Sequence, residues 1–140
     1  MPESTPAALW LRVAAALYDL FPLIGLWMLT AALALAITHG ALDARHPPLA
    51  YRLALLIVTA AYFVISWVRG GQTIGMRAWR LRLVTADGSR LPWSRALLRF
   101  GIAWLSLFAL GGGFLWCLVD RERRAWHDIA AGSRLLRQAA

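Results

Sequence analysis

The chain has 140 residues, 60% of them hydrophobic and 16% charged, with a net charge of +8. That length fits one domain of ~150 residues. The charged fraction lies below the ~25% usual in soluble proteins, which excludes disordered, collagen-like and disulfide-scaffold classes. A single cysteine, Cys117, allows no intrachain disulfide and reads as a small buried apolar residue.

The first apolar stretch, Val13 to Thr38, has 26 residues and one charge, Asp19. It exceeds the ~20 residues needed to cross a ~30 Å hydrocarbon core. Arg12 and Ala34-Leu35-Ala36 imitate parts of a secretory signal, but signal cores run only ~7–15 residues. The stretch therefore predicts a retained transmembrane helix over about 9–38. Pro22 removes one helical donor and invites a kink beside Asp19. Small residues at Ala14, Ala15, Ala31, Ala32, Ala34 and Ala36 permit close helix approach.

A short connector with Asp43, Arg45 and Pro47-Pro48 leads to a second helix, predicted over about 51–68. Arg52 can snorkel at one end and Trp67 suits an interfacial belt at the other. The brevity of the connector makes the two helices an antiparallel hairpin.

Segment 69–95 holds six arginines against one acid, Asp87, whereas the connector holds one of each. The positive-inside rule puts this segment, and with it the N-terminus, in the cytoplasm. Within it, Trp79 to Leu83 alternates with period two and runs into Asp87-Gly88, which predicts a short strand and a turn. Pro92 confines any return strand to an edge.

The third apolar segment, 96–119, contains 20 uncharged residues from Phe100 to Val119, enough for one straight span. Two features oppose a simple crossing. Gly111-Gly112-Gly113 interrupts it, at ~1 kcal/mol per helical glycine relative to alanine. The tail 120–140 also carries five arginines, which a crossing would place outside. A broken or re-entrant element keeps both basic segments inside, provided protein covers its non-helical backbone. Gly132 to Leu136 could add another short strand. The fold class that follows is an all-α membrane protein: a two-helix hairpin, a broken third apolar helix and a small cytoplasmic β element.

Four short motifs in fixed order then give a resemblance. Leu11-Arg12-Val13-Ala14 with Tyr18-Asp19-Leu20 comes first, and Gly71-Gln72-Thr73-Ile74-Gly75-Met76-Arg77 with Leu81-Arg82-Leu83-Val84 second. Leu98-Arg99-Phe100 follows, and Asp120-Arg121 through Arg124-Ala125-Trp126-His127-Asp128 closes the series. Together they resemble the RDD family of small bacterial membrane proteins, named for one arginine and two aspartates. Met76 and Ser133 depart from residues common there, lysine and threonine. The resemblance implies a multi-pass protein of the bacterial inner membrane, for which transport has been suggested. It singles out Arg12, Asp19 and Asp128, with Gln72, Thr73, Arg77, Arg99 and His127 as supporting polar candidates.

Arg12 and Asp19 are seven residues apart, hence on one helix face and about 10 Å apart in depth. Each needs a partner from elsewhere: Arg99 or Arg77 for Asp19, and Asp128 for Arg12. A carboxylate at membrane depth costs ~2.5–3.5 kcal/mol unless protein or water receives it. It can serve as a proton or cation site in a transporter. Alternatively, Arg12, Asp19 and Asp128 form an ionic clasp that docks the tail on the first helix. A clasp requires Arg12 and Asp128 on the same membrane face.

His127 beside Asp128 reads as an interfacial histidine capping the tail, or as a pH-responsive pair. The three histidines offer no metal-ligand spacing, no cofactor motif is present, and no catalytic constellation identifies an enzyme. Arginines interspersed with Trp79, Trp93 and Trp126 fit an anionic lipid surface rather than nucleic acid. Two functions follow: transport of ions or a small solute by a homo-oligomer using Asp19, or a non-enzymatic accessory or assembly subunit of a larger membrane complex.

Overall fold

The computed structural model describes residues 4–139. Helix α1, Leu9–Ile37, and helix α2, Leu49–Gly70, are both long and apolar enough to cross a membrane. They form an antiparallel hairpin: Asp19 meets Tyr62, and Trp27 Nε1 donates to Thr59 Oγ1 at 2.9 Å deeper along the pair. Helix α1 ends one residue before the expected boundary and runs unbroken through Pro22. Helix α2 outruns its expected limits by two residues at each end. Pro48 has the extended backbone suited to entering a helix, and Gly71, with φ of 66°, ends it in the left-handed conformation that glycine adopts without strain.

A one-turn helix α3, Ile74–Ala78, follows and is capped by Thr73, whose hydroxyl accepts from Met76 N–H at 3.1 Å. Strand β2, Leu81–Thr85, matches the alternating segment. No return strand follows the Asp87-Gly88 turn among the described residues; Pro92 instead opens helix α4, Trp93–Phe108. The partner of β2 comes from the tail. Strand β3, Ser133–Arg137, pairs antiparallel with β2, Leu83 opposite Leu135. On the other edge of β3 lies a two-residue N-terminal strand, β1, Thr5–Pro6, which carries no pattern that would have announced it.

The third apolar segment is broken. Helix α4 ends at Phe108, and a short helix α5, Gly112–Leu115, continues into a 3-10 turn at an angle of 107°. Leu110 and Gly111 make the bend with positive φ. The chain then returns, and the one-turn helix α6, Trp126–Ala130, packs against α4.

The hydrophobic core collects at the sheet end. Leu11 and Ala15 of α1, Val64 and Trp67 of α2, Leu81 and Leu83 of β2, Ala96 of α4 and Leu135 of β3 are all buried. Farther along the hairpin the outer faces are apolar and open, with Phe21 73% and Ile57 65% exposed. The chain is thus mostly helical, with two long apolar helices, one bent helix pair and a small sheet.

Candidate functional site

Two polar clusters lie at the sheet end, each anchored on α1. The first centres on Asp128. Its position in α6 lets one carboxylate oxygen, Oδ2, accept from the Ala125 N–H at 3.0 Å, satisfying a helix-start donor that Ala125 has no side chain to help. The same oxygen lies 2.7 Å from Arg12 Nη1, and Oδ1 is bound by Arg99 Nη1. Arg12 also donates to the Arg123 carbonyl at 2.9 Å, which ties α1 to the loop before α6. Arg99 Nη1 further donates to Ser133 Oγ at 3.0 Å, and its Cζ stands 5.0 Å from the centre of the Trp67 ring. All of these side chains are buried, Asp128 completely.

Burial pushes the Asp128 carboxyl up, but Arg99 and Arg12, aided by His127 and the Ala125 N–H, outweigh it. The carboxyl is held well below the usual carboxylate range. His127, next in sequence, turns into the protein and packs on Phe114 with ring centres 4.9 Å apart. Its pKa is pushed down to about 3, by burial first and then by Arg99. It is therefore a buried neutral imidazole, and the expectation of an interfacial cap is corrected.

The second cluster surrounds Asp19, which is 2% exposed. Tyr62 Oη–H donates to Oδ1 at 2.6 Å, Thr73 Oγ1–H to Oδ2 at 2.6 Å, and Gly75 N–H to Oδ1 at 2.8 Å. Thr73 thus works in both directions, donating to Asp19 while it caps α3. The close fit depends on Gly75: a Cβ there would stand 2.0 Å from the Ala15 carbonyl oxygen. Among the described residues no basic side chain lies within 4 Å of Asp19.

The expected arginine partner for Asp19 is accordingly wrong. Arg99 is committed to Asp128, and Arg77 is exposed on α3. Neutral donors meet the carboxylate instead. The Arg12–Asp128 pair forms, but Asp19 belongs to a separate cluster, so the three family charges do not make one clasp. Gln72 donates to the Leu81 carbonyl at 2.8 Å and stitches the loop to β2 without touching either cluster. Trp67 is buried under Arg99 rather than placed at an interface.

Tyr62 was missed by sequence reasoning. A tyrosine in the middle of an apolar stretch must find a partner for its hydroxyl, and that signal was available. Ser133 was noted only as a departure from the family pattern, yet its hydroxyl receives Arg99.

Between the two clusters a half-open cavity of about 260 Å³ lies mainly against α1, α2 and α4. Phe63, Trp67, Phe100 and Trp104 supply its walls, and Arg12, Asp19, Arg99 and His127 its polar margin. Among the described residues no group of three acidic, histidine or cysteine side chains is spaced to hold a metal.

A family model described as the RDD family matches residues 6–132. No curated protein and no solved structure matches the chain.

Proposed function

The chain belongs to the RDD family, and from that premise we propose that it is a non-enzymatic accessory or assembly subunit of the bacterial cytoplasmic membrane. In this reading α1 and α2 cross the bilayer. The bent α4–α5 pair re-enters, and the N-terminus, the basic segment 69–95 and the tail share the cytoplasmic face. The single observation that carries the functional part is that both family aspartates are closed into complete networks. Asp128 binds two arginines and a backbone amide, and Asp19 takes three donors.

A carboxylate that must load and release an ion needs a coordination position open to water. Asp19 instead spends its acceptors on Tyr62, Thr73 and Gly75, in surroundings dominated by aromatic rings. Such groups serve to fix the loop and the tail on the hairpin. The apolar outer faces of α1 and α2 then supply contact with lipid and with a partner's helices. Exposed Arg77, Arg80 and Arg82, with half-exposed Trp93, suit an anionic lipid surface.

A second reading, ion or solute transport by a homo-oligomer through Asp19, draws on the cavity that Asp19 borders. Reconstitution separates the two. Purified protein is sealed in vesicles carrying a proton or sodium gradient, beside protein with Asp19→Asn. The accessory reading expects both to match protein-free vesicles. A cation or proton flux that Asp19→Asn abolishes overturns it.

A further inference from the structure

The start of α1 and the edge of the sheet meet at a second, open cavity of about 480 Å³, within the ~300–1,000 Å³ usual for small-molecule sites. A buried arginine builds it. Arg12 donates from Nε to the Ala7 carbonyl at 3.4 Å and from Nη2 to the Arg123 carbonyl at 2.9 Å, so one guanidinium holds the two backbones side by side. Arg123, with φ of 53°, has the left-handed backbone that non-glycine residues seldom adopt, and the bond from Arg12 holds it. The Ala7 N–H in turn donates to the Leu135 carbonyl at 2.9 Å, and the pairing of β1 with β3 ends with Thr5 opposite Arg137. These bonds bring Arg123 of the loop and Arg137 of β3 to one cavity, beside Thr5, Trp10 and Leu11.

Neither arginine has an acidic partner among the described residues. The acids nearest to Arg123 in sequence are already taken: Asp120 by Arg124 at 3.1 Å, Glu122 by Arg134 at 2.9 Å, and Asp128 by Arg12 and Arg99. Exposed Arg80, whose carbonyl receives the Gln138 N–H at 2.9 Å, adds a further positive charge near the Arg137 end. Two guanidinium groups that share a cavity without a carboxylate repel each other, so the site favours an anion. Among the lining side chains the two guanidinium groups and the Trp10 indole only donate, and the Thr5 hydroxyl alone can also accept. An oxygen-rich anion matches that set, whereas an ammonium group finds almost nothing to receive it. Phosphate suits it best, because the guanidinium fork pairs with two phosphate oxygens at once.

We propose that this cavity binds the phosphate head of one anionic phospholipid, with Arg123 and Arg137 on its oxygens and the Trp10 ring beside the start of its acyl chains. The assignment rests on the reading that α1 crosses the bilayer, and it holds for an accessory subunit and a carrier alike. In that reading the uncharged part of α1 runs inward from Val13, so the cavity stands at headgroup level. Trp10 is 57% exposed there, where tryptophan is enriched at membrane surfaces. Basic pockets on the cytoplasmic side of membrane helices receive acidic lipid heads. The site takes one lipid at a fixed place, in contrast to the general attraction of the basic surface.

Native mass spectrometry of the purified full chain, released from nonionic detergent, tests this with three additions: phosphatidylglycerol, phosphatidylethanolamine of the same acyl chains, and sodium phosphate. The expected result is a phosphatidylglycerol adduct that saturates at one per chain, with phosphatidylethanolamine retained at least tenfold more weakly and phosphate unable to displace the lipid. Arg123→Gln combined with Arg137→Gln changes two exposed side chains and keeps the backbone bond from Arg12, so circular dichroism should be unchanged while retention falls at least tenfold. Arg69→Gln combined with Arg90→Gln removes the same charge from exposed positions elsewhere and should leave most of the retention. Equal retention of the two lipids overturns the proposal, as does an equal loss in the two double variants, which would mean diffuse attraction only. Displacement by phosphate assigns the site to the free anion and overturns the lipid assignment. Failure of the bilayer reading shows elsewhere, in reporters fused to the two ends of α1 that report the same side of the membrane; opposite sides with no saturating adduct overturn the lipid site alone.

Discussion

Asp19 is held by three donors of different kinds: a phenol from α2, a hydroxyl that caps α3, and a backbone amide that cannot turn away. Their loss should be graded. Tyr62→Phe removes from a half-buried ring both the donor to the carboxylate and the acceptor of the Ile74 N–H at 3.3 Å, and should cost ~1.5 kcal/mol. Thr73→Val removes a buried donor to the carboxylate and also the cap of α3, so ~2–3 kcal/mol is expected. Thermal unfolding in detergent, followed by circular dichroism, should rank wild type above Tyr62→Phe and Tyr62→Phe above Thr73→Val. The reverse order for the two variants would mean that the cap contributes nothing. The sequence marked Asp19 as a residue in need of a partner, because an acid inside an apolar stretch is expensive. It could not identify that partner. Arginine is the partner that charge alone suggests, whereas three neutral donors converge only once α2 and the loop have folded onto α1. The Arg12–Asp128 pair was legible because the family-like motifs mark both charges and each needs an opposite partner, which the fold supplies at 2.7 Å.

At the scale of elements, the two long helices follow from apolar length, and the break falls at Leu110 and at the first of the three consecutive glycines, Gly111, the other two lying in α5. The angle of the break does not follow from the sequence, since it depends on how α6 and the tail pack back against α4. Strand β3 pairs with β2 because Leu81, Leu83 and Leu135 need one buried face. Strand β1 is two residues long, one of them proline, and shows no periodicity to read. The tightest junction is α3 against α1, where Gly75 meets Ala15. Gly75→Ala puts a methyl group 2.0 Å from a backbone oxygen, so α3 must move off α1 and draw its donors away from Asp19. Overpacking of this kind costs ~1–3 kcal/mol, with the lost hydrogen bonds added. Arg77 is exposed two residues away and provides a probe. Limited tryptic cleavage after Arg77 should be several-fold faster in Gly75→Ala than in wild type, and an equal rate would show that the junction yields without opening.

Across the whole molecule, the sheet joins strands from the N-terminus, the middle loop and the tail, and the Asp128 cluster bolts that assembly to α1 and α4. Asp128→Ala leaves Arg12 and Arg99 buried without their carboxylate, a loss of ~3–5 kcal/mol for a broken buried pair. Acid should weaken the same assembly. The folded pKa of His127, at about 3, lies below its ordinary 6.5, so between those values the unfolded chain binds a proton that the folded one refuses. Stability is full above pH 6.5 and falls as the pH is lowered toward 3, by at most ~1.4 kcal/mol per pH unit for this one group. Hydrogen exchange of the β3 amides should therefore quicken between pH 6.5 and pH 4.5, after correction for the intrinsic rate, and His127→Phe should flatten that dependence.

The sheet also constrains topology. Strands β1, β2 and β3 are hydrogen-bonded to one another, and a bilayer cannot pass between hydrogen-bonded strands. If α1 and α2 cross, the N-terminus, the loop and the tail must share one side, and α4–α5 must enter and return. Paired fusions at the C-terminus, one reporter active only in the cytoplasm and one only outside it, should give signal from the cytoplasmic reporter alone. Moving the fusion to the connector at Arg45 should exchange the two signals. An external C-terminus would separate β3 from β2 by the whole membrane. It would remove the sheet, the Arg12–Asp128 pair and the re-entrant reading together.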